Sequence, residues 1–304
     1  MAFRGVQERV WTVQMSILYL VPTPIGNLED ITLRALRCLR ESALIAAEDT
    51  RRTRKLLAHY EIYTPRLRYD DHSGAQAVAR CLRVLDAGDS ISLVSDAGTP
   101  GIADPGQALI AAVLAAGHTV VPLPGANAAI TALAGSGLPT TPFLHLGFLP
   151  RKAGPLRKLL ASLREERATL IAYESPLRLA ASLAALCEAW GPERPICIAR
   201  EISKLHEEFW RGSLGEAALH FAPGATRGEV TLVIAGAEAG AAGWAEERLR
   251  QAIQQGLAEH KALRELAREL APPSGWPRRD IYQMAVALRD AGRQASRQAG
   301  ADSV

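Results

Sequence analysis

Ser95-Asp96-Ala97-Gly98-Thr99-Pro100-Gly101-Ile102-Ala103-Asp104-Pro105-Gly106 follows the apolar run Ile91–Ser95 and leads into the apolar stretch Gln107–Ala116. The first run has the length of a buried strand and the second that of a helix. A plain strand-to-helix link holds about 2–6 residues. A longer one with three glycines and two acids reads as a binding loop, in which glycine lets the backbone come close to a ligand. Asp104 has two open readings, a cap for the helix after Pro105 or a ligand contact.

Two further Gly/Pro-rich loops have the same placement. Ile17–Val21 reads as a strand followed by Pro22–Gly26, and Thr119–Pro122 as a strand followed by Pro122–Gly125. Between them lie a helix from about Asn27, whose spacing to Asp30 suits a reciprocal cap, a strand at Leu44–Ala47 and a helical stretch at Thr53–His59. An amphipathic helix through Val78, Leu82 and Leu85 follows the polar loop 70–74, and Ala126–Leu133 reads as a further helix. Alternating strands and helices predict a parallel sheet, at whose strand ends the three loops would gather. This first α/β unit is expected over 16–135.

A second α/β unit is expected over 140–237. Its strands are placed at Leu144–Gly147, Thr169–Tyr173, Pro195–Ala199, Glu207–Gly212 and Glu229–Ala235, with helices at Pro155–Arg164 and Leu177–Ala189. Several of these strands follow one another without helices, which favours a mixed sheet. Residues 235–243 look like a linker. A helical segment over 243–292 resembles a helix-turn-helix, with helices near Trp244–Gln255, Lys261–Leu270 and Arg278–Asp290, although Ala271–Pro277 is longer than the usual turn. Residues 293–304 are expected to be a tail and 1–15 a disordered extension or the product of a misplaced start.

Composition excludes several classes. The 304 residues are 48% hydrophobic and 22% charged, close to the soluble globular average. The longest apolar run, Ala108–Gly117, is too short to cross a bilayer, and no signal peptide is spelled, so a cytoplasmic protein is expected. Cys38, Cys81, Cys187 and Cys197 lie far apart in apolar patterns and read as free buried thiols. Pro24-Ile25-Gly26 lacks the dinucleotide fingerprint, and no phosphate-binding P-loop is present. His206, Glu207 and Glu208 would point to opposite faces of a strand, so no metal is expected.

Net charge is +3, yet basic residues cluster at Arg51, Arg52, Arg54 and Lys55, at Arg151, Lys152, Arg157 and Lys158, and at Arg278 and Arg279. Each cluster alone suits a solvated helix face; together they suit a nucleic-acid partner.

The segments Leu18–Thr32, Ala47–Arg51, Ser95–Gly106, Pro122–Asn127, Gly147–Pro150, Tyr173–Pro176, Ala199–Glu201, Lys204 with Glu207 and Glu208, and Gly228–Val230 occur in an order that resembles the tetrapyrrole methylase superfamily. Within it they resemble the RsmI-type 16S rRNA (cytidine-2′-O)-methyltransferases. The resemblance implies a two-domain homodimer with S-adenosylmethionine in the interdomain cleft, acting on a decoding-site cytidine of 16S rRNA in the small (30S) subunit. It places the cofactor against Pro24, Gly26, Asp96, Gly98, Thr99, Pro100, Gly101 and Ile102, then Pro124, Gly125 and Ala126, with Tyr173 and Val230 closing the site. Ala103 stands where serine is expected, which removes one loop hydrogen bond.

A ribose hydroxyl is a poor neutral nucleophile, so a base within hydrogen-bond reach is expected. Glu48, Asp49, Glu174, Glu201, Lys204, Glu207 and Glu208 remain open for that role, with Glu174, Lys204 and Glu208 carried as the catalytic candidates. Each also reads as an ion-pair or strand-end partner. Arg51, Arg52, Arg151, Lys152 and Arg200 are expected to bind RNA phosphates. The rival functions are a porphyrin or corrin methylase of the same fold and a DNA-binding regulator that senses a nucleotide-like ligand.

Overall fold

The computed structural model describes residues 16–70, 74–221, 227–237 and 244–301, with side chains as far as 291. The expected extension 1–15 and most of the expected linker lie outside these residues. No helix among them is long and apolar enough to cross a membrane.

The first sheet holds β1 (Ile17–Leu20), β2 (Leu44–Ala47), β3 (Arg66–Arg68), β4 (Ile91–Val94) and β5 (Thr119–Pro122), all parallel in the order β3-β2-β4-β1-β5. Every residue of β2 and β4 is buried, as expected for central strands covered on both faces. One face packs α1 (Leu33–Glu41) and α2 (Thr50–His59) through Leu39 and Leu57. The other packs α3 (Gly74–Asp86) and α4 (Gln107–Ala115) through Cys81, Leu85 and Leu109. β3 escaped the sequence reading because Arg-Leu-Arg at a sheet edge has no apolar run.

The helix expected from Asn27 starts later. Asn27 caps only a one-turn 3-10 helix, Leu28–Asp30, and Thr32 caps α1 by accepting from Ala35 N at 3.0 Å. Two capping residues five apart divide what read as one helix.

α5 (Ala128–Ser136), expected in the first unit, lies on the second sheet, with Ala129, Ala132 and Leu133 against Ile171, Cys197, Ala199 and Val233. That sheet holds β6 (Phe143–Phe148), β7 (Thr169–Glu174), β8 (Pro195–Arg200), β9 (Glu208–Ser213) and β10 (Val230–Ile234) in the order β6-β7-β10-β8-β9. Only β6 and β7 run parallel. Val230, Leu232 and Ile234 meet the core under α6 (Ala153–Ser162), α7 (Leu179–Trp190) and α8 (Leu214–His220), while Val233 faces α5. This is the two-residue period of a strand covered on both faces. α8 was not foreseen, although its capping box, Ser213 with Glu216, stands in the sequence.

Asn127 caps α5 by accepting from Ile130 N at 3.2 Å. Asn127→Ala should lower stability by about 1 kcal/mol, read as a reduced urea midpoint at unchanged slope.

The C-terminal helices α9 (Glu246–Ala258), α10 (Leu263–Ser274) and α11 (Arg278–Ala301) form their own core around Leu249, Ile253, Ala267, Ile281 and Ala285. α10 carries Pro272 and Pro273 in its last turn and ends at Gly275 in the left-handed conformation, φ 71°. The connection read as seven residues therefore shrinks to Gly275-Trp276-Pro277, the length of a helix-turn-helix link. α11 runs past Asp290 to Ala301, through most of the expected tail, where Ala, Arg and Gln dominate and no proline intervenes.

Candidate active site

β1 and β4 are neighbours at the point where the strand order of the first sheet reverses, and their loops are stitched together. Thr23 and Gly98 exchange backbone hydrogen bonds at 2.9 Å, and Thr23 Oγ1 donates to Ser95 O at 3.1 Å. Thr99 Oγ1 donates to Ala126 O at 3.0 Å, which ties in the loop after β5. Gly98 and Gly101 hold φ of 83° and 80°, a region that favours glycine. At Gly125 the chain passes so close to Pro22 that a Cβ would lie 2.6 Å from its ring.

These loops form one wall of a cavity of about 520 Å³, and the ends of β7 and β10 form the other. Of the expected cofactor residues, Asp96, Gly98, Thr99, Ile102, Tyr173 and Val230 line it. Pro24 lines a smaller adjoining recess with Arg52 and Lys55. Gly26, Pro100, Gly101, Pro124, Gly125 and Ala126 are not on the cavity wall. Among them, Gly101 and Gly125 shape the loops behind it, and Gly26 lets the first loop meet Ile202 and Lys204 of the second unit.

Ile25, Ala128, Phe148 and Pro176 give the cavity apolar patches. The sequence reading did not assign Phe148 or Pro176 a role, although both stand in motifs it singled out. Tyr173 is half-buried; burial pushes its phenol up, partly offset by a hydrogen bond with the Ala129 backbone.

The cavity floor is acidic. Glu48 leaves the end of β2 beside Asp96, which leaves the end of β4, because Ala47 and Val94 are paired in register. Asp96 accepts from Asp49 N and pairs with Arg52, both at 3.1 Å. Glu48 receives only a 3.4 Å contact from Asp96 N. Burial pushes its carboxyl up and the Asp104 charge adds to the shift. Burial raises Asp104 as well, against a hydrogen bond from Ser95. Asp104 does not cap α4, which starts at Gln107 behind Gly106, and it lines the cavity instead.

The three catalytic candidates are all engaged elsewhere. Glu174 borders the cavity, but its side chain is 0% exposed and binds Arg178 at 2.5 Å, Ser175 N at 2.6 Å and Ser182 Oγ. Glu208 pairs with Arg200 across β8 and β9 at 2.9 Å. Lys204 lies between Glu201 at 2.7 Å and Glu229 at 3.1 Å. Partial burial of its ammonium works against the charge, yet the hydrogen bonds to Glu201 and Glu229 prevail and raise it. Asp49 caps α2 and bonds Arg51, whose side chain pulls it down to about 2. Glu207 accepts from Ser203 N at 2.6 Å.

Of the expected RNA contacts, Arg51, Arg52 and Arg200 are all paired with acids, and Arg52 also lines the cavity. Arg151 and Lys152 are exposed and enter no ion pair with a described residue. Among the described residues no group of three or more His, Cys, Asp or Glu side chains could hold a metal ion. Cys38, Cys81 and Cys197 are buried thiols and Cys187 is half-buried.

Residues 17–218 match the family model for tetrapyrrole (corrin/porphyrin) methylases. The chain is 47% identical over 279 residues to a Synechocystis protein named ribosomal RNA small subunit methyltransferase I, covering 91% of this chain and 100% of the relative. A Bacillus subtilis protein of the same name is 39% identical, covering 93% and 96%. Uroporphyrin-III C-methyltransferase from Thermus thermophilus is similar in fold, with a TM-score of 0.52 at 21% identity over 72% of this chain and 94% of that one.

Proposed function

The chain belongs to the tetrapyrrole (corrin/porphyrin) methylase family, and from that premise we propose that it is a small-subunit ribosomal RNA methyltransferase that uses S-adenosylmethionine and methylates a cytidine 2′-hydroxyl near the decoding site. The observation that carries the reading is the acidic interdomain cavity, joined to 47% identity over the whole length of a relative named for this activity.

The cavity residues fit the cofactor. Its volume of about 520 Å³ lies within the usual range for small-molecule sites. Glu48, Asp96, Asp104 and Glu229 face it against Arg52, which suits a ligand of net positive charge with ribose hydroxyls to bind. Ile25, Ile102 and Val230 suit an apolar ring. When bound, the cofactor supplies an electrophilic methyl whose leaving group is a neutral thioether, so the protein's main task is alignment. The glycine loops fix one side of that alignment, and Tyr173 and Val230 the other.

Glu48 is the proton acceptor for the ribose hydroxyl in this reading. Asp96 is tied to Arg52 and Glu229 to Lys204, which leaves Glu48 and Asp104 as the cavity acids with free lone pairs, and of these Glu48 stands at the end of β2, beside Asp96. Its raised pKa suits it to the work, because base strength grows with pKa. Exposed apolar side chains Leu114, Ile130, Phe143 and Leu144, on α4, α5 and the edge strand β6, suit a homodimer face. A cytoplasmic location follows from the ribosomal substrate.

The test is transfer of labelled methyl from S-adenosylmethionine to small subunits lacking their own modification, with the product nucleoside identified by mass. A 2′-O-methylcytidine product, lost in Asp96→Ala, is expected. Cofactor binding without transfer to subunits or free rRNA would remove the ribosomal assignment, and turnover of a porphyrin instead would install the pigment rival. Cofactor binding without turnover of either substrate is what a DNA-binding sensor would give.

A further inference from the structure

We propose that the corner where β6 leads into α6 is the subsite for the target nucleotide, with Phe148 stacking its base and Arg151 and Lys152 holding the neighbouring phosphates. The proposal rests on the RNA reading given above and names where the nucleotide goes.

Phe148 lines the cavity mouth and is 61% exposed. Leu177, just beyond the cavity-lining Ser175 and Pro176, is 88% exposed. Two large apolar side chains held in water at the rim of a binding cavity mark a contact surface more than a folding need.

The backbone is shaped to present this ring. In a regular strand, residues three apart point to opposite faces. Yet His145 and Phe148 both touch the Tyr173 ring, at 5.0 and 5.4 Å between centroids. A bulge makes this possible. His145 pairs with Ile171 and Phe148 with Tyr173, so β6 spends one residue more than β7 over the interval, and Gly147 takes φ 66° there. Bulges re-aim side chains beside functional sites.

The corner is also braced. Leu149, 2% exposed, donates its N–H to Tyr173 O at 3.2 Å, and its carbonyl accepts from the Arg178 guanidinium at 3.3 Å. Phe148 is thus held on a fixed backbone, which keeps the ordering cost of stacking small.

A ribose hydroxyl can enter a concave cavity only if its nucleotide leaves the stack. Proteins that recognise such RNA bases place them on aromatic faces. Phe148 offers a face at the entrance, beside the cavity wall formed by Tyr173. Two and three residues past Leu149, Arg151 and Lys152 project exposed cations, with no ion-pair partner among the described residues, just before α6. An aromatic ring flanked by free cations is the pattern of a single-stranded nucleic-acid site.

Phe148→Ala should raise the KM for small subunits by roughly 10- to 100-fold, with the cofactor Kd within twofold of wild type by calorimetry. Phe148→Trp should keep the wild-type KM, which separates stacking from a general packing defect. Arg151→Ala with Lys152→Ala should weaken subunit binding and make its salt dependence shallower by roughly one to two units of log–log slope. An unchanged KM in Phe148→Ala would overturn the subsite, as would a tenfold loss of cofactor affinity, which would make Phe148 part of the cofactor wall. A dimer that falls apart in Phe148→Ala, with Phe148→Trp failing to restore KM, would assign the corner to contact between copies. If wild type itself leaves subunits unmethylated, the RNA reading falls and takes the subsite with it; failure confined to the variants leaves the RNA reading standing.

Discussion

Glu48→Gln should lower the single-turnover rate of methyl transfer by about 10²–10⁴-fold, the usual contribution of a positioned general base. Cofactor affinity should fall by far less than the rate, because Asp96, Asp104 and Glu229 keep the cavity acidic. The side chain has only the 3.4 Å contact from Asp96 N to hold it, and an amide oxygen can keep that contact. Size and shape are also preserved, so the fold should not register the change. The pH dependence carries the diagnosis. Burial first, and then the Asp104 charge, raise the Glu48 carboxyl above the ordinary range. A base works only when deprotonated, so the wild-type rate should climb with pH through that raised value and level off above it. Glu48→Gln has no such proton to lose, and its residual rate should be flat across the same interval. Glu48→Asp keeps the charge but shortens the reach, and should recover part of the rate. A loss below threefold in Glu48→Gln, or a variant that keeps the wild-type limb, would remove Glu48 from the role.

The glycine loops beside the cavity were legible in the sequence because their cause is local. Gly98 and Gly101 are needed where the backbone turns left-handed, and a loop that long between a strand and a helix has few structural uses. The ion pairs that engage the three catalytic candidates were not legible, because their cause is tertiary. Whether Glu174, Glu208 or Lys204 faces the cavity depends on which partner claims it. Arg200 claims Glu208 across two strands, and Glu229 helps hold Lys204 from 25 residues away. Nothing in the spacing announces these. Arg178 stands four residues after Glu174, so one hint of an ion pair was present. The side on which α5 packs was equally hidden, because an apolar helix face does not say which of two sheets will cover it. Gly147 inside a strand was a readable sign of a bulge, but the ring it would present was not.

Arg178→Met should destabilise the protein by about 3 kcal/mol, read from urea unfolding. The Glu174 side chain is wholly buried, and Arg178, 27% exposed, is the only cation paired with it among the described residues. Removing the guanidinium leaves a carboxylate with two hydrogen-bond donors, Ser175 N and Ser182 Oγ, and no counter-charge. Truncating one partner of a buried pair costs more than the pair itself contributes, because the survivor stays desolvated. The partial exposure of Arg178 keeps the expected cost at the lower end of that range. It follows that neutralising the survivor should help: Glu174→Gln added to Arg178→Met should recover most of the loss, since the amide oxygen can accept from Ser175 N, the amide NH2 can donate to Ser182 Oγ, and no charge remains to strand. Glu174→Gln alone should also cost stability, because the guanidinium then loses its carboxylate. A double-mutant cycle isolates this coupling. If Arg178→Met costs less than about 1 kcal/mol and the double variant shows no recovery, water reaches the pair, and Glu174 returns as a rival to Glu48 for the proton.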